Sequence, residues 1–248
     1  MYHKLRYEQY FIDTTGDVNK TGKATFQIEY KSVDYEYKKI LTHANYCIRY
    51  DSKRNVIQIH FEGTKDVPDW VTNFLFLPKY YESFTWNDKK ITLRVHNSWA
   101  TMYKHMKGII RDSVKELLEA HPDAEVEVIG WSLGSGQAML CSQDLNYNLG
   151  IQVHLITFGS VNPFRTNIFT RRKTINYLKS CCKSYHIFCH KNDFVSYLVP
   201  KIFGFIKINR LNLKGHFNIF GLFNILKNHY CYDQRELYRD IYKKEREC

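Results

Sequence analysis

The stretch VIGWSLGSGQAML, Val128 to Leu140, runs from branched apolar residues into Ser132, which has Gly130 two places before it and Gly134 two places after it. The run before the serine reads as a strand and the residues after it as a helix. A strand that turns abruptly into a helix holds its central residue in a strained backbone conformation, and any side chain two positions away would strike the neighbouring backbone. The glycines relieve that collision and the hydroxyl is thrust outward. The helix that starts there aims its free amides and the positive end of its dipole at the same spot, where negative charge develops during acyl transfer. Leu133 supplies the first such amide. A turn serine with no chemistry is the competing reading, and the pattern alone does not exclude it; strand before and helix after is the context the motif requires.

Outward from this point, strands and helices alternate. From Tyr46, YCIRYDSKRNVIQIHFEGT reads as a strand, a polar turn at Asp51 to Asn55 and an alternating strand that ends near Phe61, stopped by Gly63. KKITLRVH is a further extended piece, with Ser98 placed to cap the next helix. Met102, Met106, Ile109, Ile110, Val114, Leu117 and Leu118 recur at helical spacing until His121-Pro122 ends the run. AEVEVIG, GIQVHLITFG and KSYHIFCH then read as strands, with SLGSGQAMLCSQDLN as the helix after the first. Such alternation predicts an α/β fold with a mainly parallel central sheet flanked by helices, whose chemistry gathers beyond the carboxyl ends of its strands. Residues 1–40 lack this rhythm and read as an N-terminal extension of uncertain role; the 248 residues otherwise suit one domain.

A serine hydroxyl is a poor nucleophile without a base in reach and a carboxylate to orient that base. In this type of fold the chain order is serine, acid, histidine. Asp193, in YHIFCHKNDFVSYLVP, follows a strand directly and opens on the edge that carries Ser132, although a loop aspartate is by position alone more often a solvated turn former. His216, in LKGHFNIFG, and His229, in LKNHYCYDQ, both lie downstream. Side-chain chemistry does not choose between them.

Composition narrows the partners. Hydrophobic residues make up 44% of the chain and charged residues 25%, an ordinary globular balance that excludes intrinsic disorder. The net charge of +11 favours an anionic partner, nucleic acid or an acidic lipid surface, but the cations are scattered, densest at Arg171-Arg172-Lys173 and Lys243-Lys244-Glu245-Arg246, and a solvated face explains them as well. No stretch is apolar enough for a signal peptide core or a membrane span, and seven cysteines suit reduced thiols, so a cytoplasmic protein peripheral to membranes is expected. Cys181, Cys182, His186, Cys189 and His190 could bind zinc in a nucleic-acid module, yet their spacing fits no standard finger and a strand sends them to alternate faces. No metal, cofactor or nucleic acid is therefore expected.

Five blocks in order resemble the class 3 lipase family, α/β-hydrolases that include fungal triacylglycerol lipases. IHFEGTKDVPDWVTNF resembles the family's FRGT strand, turn and amphipathic lid; LRVHNSW resembles VHxGF; VEVIGWSLGSGQA resembles the nucleophile block VTGHSLGGALA; LITFGSVNPF resembles VTFGxPRVG; and HKNDFVSYLVP resembles the acid-bearing NxxDxVPxLP loop. The resemblance covers about Tyr46 to Pro200. It implies an α/β-hydrolase fold, a lipid substrate met at an interface, and a serine hydrolase of triacylglycerol lipase or phospholipase A1 type working through an acyl-enzyme. It implies Ser132 as nucleophile, Asp193 as orienting acid and, because a tyrosine follows three places on at Tyr232, His229 as base. Thr64 falls where the family has a second oxyanion donor beside Leu133. Trp70, Val71 and Phe74, with Val67, form the apolar side of a lid, and Phe203, Phe205, Phe217, Phe220 and Phe223 are candidates for an acyl groove or for plain core. The chain departs from the family at Trp131, where a histidine is usual, and at Ser135, where a glycine is usual, both tolerant places in the motif although a side chain at Ser135 is expected to crowd helix against sheet, and at Glu62, which reverses the charge of the arginine in FRGT and is expected either to disturb lid docking or to alter the substrate head group accepted. A lipase-like lipid-binding domain without turnover is the alternative.

Overall fold

Branched and aromatic residues recur at Val56–Phe61, Glu125–Trp131, Val153–Phe158 and Cys182–His190, and in the computed structural model of the chain these segments lie side by side as parallel strands. The structure describes residues 4–15, 29–37, 40–63, 78–86, 89–191, 193, 205–206, 208, 210–213, 229 and 231–247. In chain order these hold helix α1 (Tyr7–Thr15), strands β1 (Lys31–Tyr37), β2 (Ile40–Asp51), β3 (Val56–Phe61), β4 (Pro78–Trp86) and β5 (Lys89–His96), and helix α2 (Asn97–Ala120). Next come β6 (Glu125–Trp131), α3 (Leu133–Leu149), β7 (Val153–Phe158), β8 (Phe164–Arg165), α4 (Arg171–Ser180), β9 (Cys182–His190), β10 (Arg210–Leu213), 3-10 turns at Cys231–Asp233 and Arg235–Tyr238, and α5 (Arg239–Glu247).

The described strands form a sheet in the order β1-β2-β3-β6-β7-β9-β10, parallel from β3 onward and antiparallel at β1 and β2. KKITLRVH does not join it. That segment is β5, the middle strand of a separate antiparallel sheet β4-β5-β8. The following helix begins at Asn97 rather than after a Ser98 cap, because β5 runs into α2 without a loop and the Ser98 hydroxyl is 2.8 Å from His96 Nδ1 instead.

Period-two alternation assigns each strand residue to one of two cores. Ile57, Ile59, Val126, Val128 and Leu155 face one side, where Met102, Met106, Ile110 and Val114 of α2 and Leu140 and Leu145 of α3 cover them. Ile109 falls off this stripe and is 47% exposed. Ile129, Trp131, Ile156, Phe158 and Phe188 face the other side, against Tyr7, Tyr10 and Phe11 of α1 and the late residues Tyr232 and Tyr238. The N-terminal segment without rhythm thus contains the helix that closes the second face. It also covers polar residues that alternation alone would turn toward water. Glu127, fully buried, accepts hydrogen bonds from Gln58 Nε2 at 2.7 Å, from Arg54 at 3.1 and 3.2 Å and from the Tyr10 hydroxyl, so its charge is paired as well as enclosed.

Candidate active site

The Val128–Leu140 stretch forms the turn its glycines require. Ser132 sits between β6 and α3 with φ 56° and ψ −124°, the strained conformation of a nucleophile elbow, and its amide donates to the Phe158 carbonyl of β7 at 3.0 Å. A Cβ at Gly130 would lie 2.4 Å from the Gly134 carbonyl oxygen, and one at Gly134 would lie 2.3 Å from the Phe61 oxygen at the end of β3. The two glycines therefore let the elbow fold onto itself and onto the neighbouring strand. The outward hydroxyl does not stand in solvent: Ser132 is 1% exposed. Leu133 is the first residue of α3, so its amide is one of those a helix start leaves without an intrahelical acceptor, and its carbonyl accepts the Trp99 indole N–H at 3.0 Å.

Beyond the carboxyl ends of the same strands lies a buried chain of polar groups. His229 Nδ1 is 2.9 Å from each Asp193 carboxylate oxygen, and both residues are wholly enclosed. The Tyr232 hydroxyl donates to Asp193 Oδ2 at 2.6 Å and accepts the His190 amide at 2.8 Å. Burial, and next to it the Asp193 charge, pushes the Tyr232 phenol well above its ordinary value, which keeps it protonated as a donor. A carboxylate can only accept, so Nδ1 carries the imidazole proton and Nε2 keeps the basic lone pair. This is the orientation a general base needs.

Gly159 and Trp131 seat this pair against the elbow. Gly159 ends the strand whose Phe158 carbonyl holds the Ser132 amide; its φ is 55°, and an added Cβ would stand 2.6 Å from His229 Cε1 and 2.8 Å from Asp193 Oδ2. Trp131 donates its indole N–H to the His229 carbonyl at 3.1 Å, with ring centroids 5.1 Å apart. LITFGSVNPF contained Gly159, but nothing local to that sequence ties a glycine to Asp193 and His229, so its part was legible only as a piece of a matching block. Trp131 read as a departure at a tolerant position; in the fold it holds the histidine's backbone.

The Ser135 departure is accommodated too, whereas the lid that Glu62 was expected to affect lies outside the described residues. The Ser135 hydroxyl donates to the Ser132 carbonyl at 2.5 Å and accepts the Val161 amide at 3.1 Å, so it ties α3 to the segment after β7 where crowding was expected. Glu62 accepts from Asn45 Nδ2 of β2 at 2.5 Å. Thr64, Trp70, Val71, Phe74 and His216 lie outside the described residues, as do Phe203, Phe217, Phe220 and Phe223. Phe205 is buried core beside His96. The cysteine and histidine set divides between environments: the Cys181 thiol donates to the Tyr177 carbonyl at 3.3 Å, while His186 Nδ1 is 3.1 Å from the Tyr7 hydroxyl on the opposite face. Among the described residues no three His, Cys, Asp or Glu side chains converge as a metal site.

Comparison with known proteins identifies the family and the fold. The family model Lipase (class 3) matches residues 58–203. A lipase of Rhizopus niveus is 25% identical over 177 residues, 68% of this chain and 41% of the relative. A lipase of Rhizomucor miehei is 26% identical over 166 residues, 64% of this chain and 41% of the relative. The chain thus spans about two fifths of the length of the curated relatives it matches. Among solved structures, the Rhizomucor miehei triacylglyceride lipase superposes with a TM-score of 0.65 at 19% identity, covering 83% of this chain and 78% of that one, which shows a shared fold.

Proposed function

The chain belongs to the class 3 lipases, and from that premise we propose that it hydrolyses carboxylic ester bonds of lipids, as a triacylglycerol lipase or a phospholipase of the A1 type. One α/β-hydrolase unit carries the reaction. His229 Nε2 takes the Ser132 proton, the alkoxide attacks the acyl carbonyl, and the Leu133 amide with Thr64 stabilises the oxyanion. His229 then returns the proton to the leaving alcohol, and water, activated by the same imidazole, releases the acyl chain from the serine. Asp193 holds the imidazole in its tautomer and balances the imidazolium. Trp70, Val71 and Phe74 act as the lid that turns toward lipid at an interface.

The observation that carries this reading is the enclosed Asp193–His229 pair, with Nδ1 2.9 Å from both carboxylate oxygens, packed on Gly159 beside a serine elbow. Buried free thiols at Cys47, Cys141, Cys181 and Cys182 support a reducing, cytoplasmic setting, in contrast with a Fusarium solani relative named as a secreted mono- and diacylglycerol lipase. Among the described residues no helix is long and apolar enough to cross a membrane.

A fluorophosphonate probe tests the proposal. Labelling of the folded protein in the presence of lipid is expected, and Ser132→Ala should abolish it. Thr64→Val should slow turnover by on the order of a hundredfold without preventing labelling. Folded protein that binds lipid but never labels would instead be a lipid-binding relative without turnover. Esters graded by chain length and head group then separate triacylglycerol from phospholipid substrates.

A further inference from the structure

Ile168 and Phe169 are neighbours in the chain and stand in water at 81% and 93% exposure. They cap the turn between β8 and α4, RTNIFTRRK, Arg165 to Lys173, which holds four cations and no acid. The turn is not loose. Asn167 Oδ1 accepts from the Thr170 amide at 2.9 Å and from its hydroxyl at 2.8 Å, and the Thr166 and Thr170 hydroxyls are 2.7 Å apart. An isolated exposed apolar side chain is ordinary on any surface; two large ones held at the apex of a hydrogen-bonded turn and ringed by arginine and lysine are an amphipathic edge.

Behind this apex lies a cavity of about 270 Å³ between β5 and the start of α4, lined by Lys90, Arg94, Arg165 and Lys173 together with the Thr166 and Thr170 hydroxyls. Among the described residues that line it there is no carboxylate. Arg94 and Arg165 are direct cross-strand partners, a pairing of like charges that is unfavourable by itself. The first turn of α4 is Arg171-Arg172-Lys173 with no acidic residue, so cations crowd the end of the helix that repels them. Both costs fall when an anion enters. A second hollow, lined by Ile168, Arg171, Arg172 and Ile175, continues the same edge.

We propose that the Arg165–Lys173 turn docks this protein on an anionic phospholipid surface, Ile168 and Phe169 entering the acyl layer while the basic cavity behind them seats a lipid phosphate. The inference rests on the lipid-hydrolase reading for its purpose, since it brings the candidate active site to its substrate. Phe169 lies ten positions after Gly159 in the chain, a reach of at most about 35 Å. The charge of the membrane decides the occupant: cations attract anionic head groups, each contributing about fivefold in partition, and the apolar pair adds hold that a soluble phosphate could not use.

Co-sedimentation of the full chain with vesicles of phosphatidylcholine and phosphatidylserine, against vesicles of phosphatidylcholine alone, reads the effect. Ile168→Ser with Phe169→Ser should lower partition on the mixed vesicles by about tenfold or more. Arg94→Gln with Arg165→Gln should lower it by a similar factor on mixed vesicles and leave partition on neutral vesicles unchanged. In a Phe169→Trp variant the indole emission should shift to the blue with mixed vesicles and be quenched by brominated acyl chains. Fluorophosphonate labelling in lipid-free solution should be the same in all of these variants. Unchanged partition of both double variants, an indole emission of Phe169→Trp that stays at its aqueous position, or binding of inorganic phosphate without vesicle binding overturns the proposal. Loss of Ser132 labelling with vesicle binding intact overturns only the hydrolase reading.

Discussion

At Gly159 one missing methyl group decides the geometry of the site. A Cβ there would stand 2.6 Å from His229 Cε1 and 2.8 Å from Asp193 Oδ2, and φ of 55° adds backbone strain for any other residue. Gly159→Ala is therefore expected to push the imidazole off its line toward Ser132, and a shift of about 1 Å at such a place costs on the order of a hundredfold in rate. The rate of fluorophosphonate labelling measures it; a variant that labels at the parental rate would show that His229 does not serve Ser132. Tyr232 makes a similar argument from a hydroxyl. It satisfies both the Asp193 carboxylate and the His190 amide, so Tyr232→Phe leaves a buried amide without its acceptor and should lower stability by about 1 to 3 kcal/mol, read by urea denaturation. The elbow itself was legible because Gly130, Ser132 and Gly134 form a recognisable pattern within one turn, even though the carbonyl that excludes a side chain at Gly134 belongs to Phe61 of β3. Gly159 was not, because the groups that require it come from distant parts of the chain.

Helix α1 is the element whose role the sequence concealed. Tyr7, Tyr10 and Phe11 are fully or almost fully buried, yet the nine residues YEQYFIDTT mix them with acids and threonines and show no clean apolar stripe. The mixture makes sense only against β3 and β6, whose covered face is itself mixed: Thr14 Oγ1 is 2.9 Å from His60 Nδ1, and Tyr10 reaches Glu127. Phe11 packs edge-on against Trp131 at 5.9 Å and against Phe158 at 5.4 Å, and lies 5.6 Å from Tyr232. These rings back the candidate site. Phe11→Ala should cost about 3 to 5 kcal/mol, and labelling should slow as well, because Trp131 and Tyr232 hold His229 and Asp193. Thermal unfolding and labelling of the same sample separate the two effects; a loss of stability with labelling unchanged would mean that α1 only covers the sheet.

Across the whole molecule, enclosed and half-buried histidines couple stability to pH. Burial, and after it the nearby Arg49 and Arg54 charges, lowers His60 to about 3, and burial with Lys4 lowers His186 to about 4. Unfolded, each takes its proton near the ordinary value of about 6.5. Between these limits the unfolded chain binds more protons than the folded one, so stability falls as the pH drops below about 6.5 and is untouched above it. Each histidine contributes a slope of at most about 1.4 kcal/mol per pH unit. The melting temperature should therefore decline more steeply between pH 6.5 and pH 4 in the parent chain than in His60→Gln; parallel curves would show that His60 protonates freely in the fold. The net charge of +11 acts in the same direction, since protonation of carboxylates in acid raises self-repulsion.

The amino-acid sequence by itself determined what depends on neighbours and on period: the serine between its glycines, the strands β2, β3, β5, β6, β7 and β9 with helices α2 and α3, and the parallel α/β plan implied by their alternation. Tertiary structure alone decided what depends on residues far apart. It brought His229 to Asp193, gave Tyr232 and Trp131 to that pair, set KKITLRVH in a second sheet, and buried Gln58, His60 and Glu127 beneath α1. Periodicity reports which side a residue faces. It cannot report what covers that side, because covering is a contact between segments with no common rhythm.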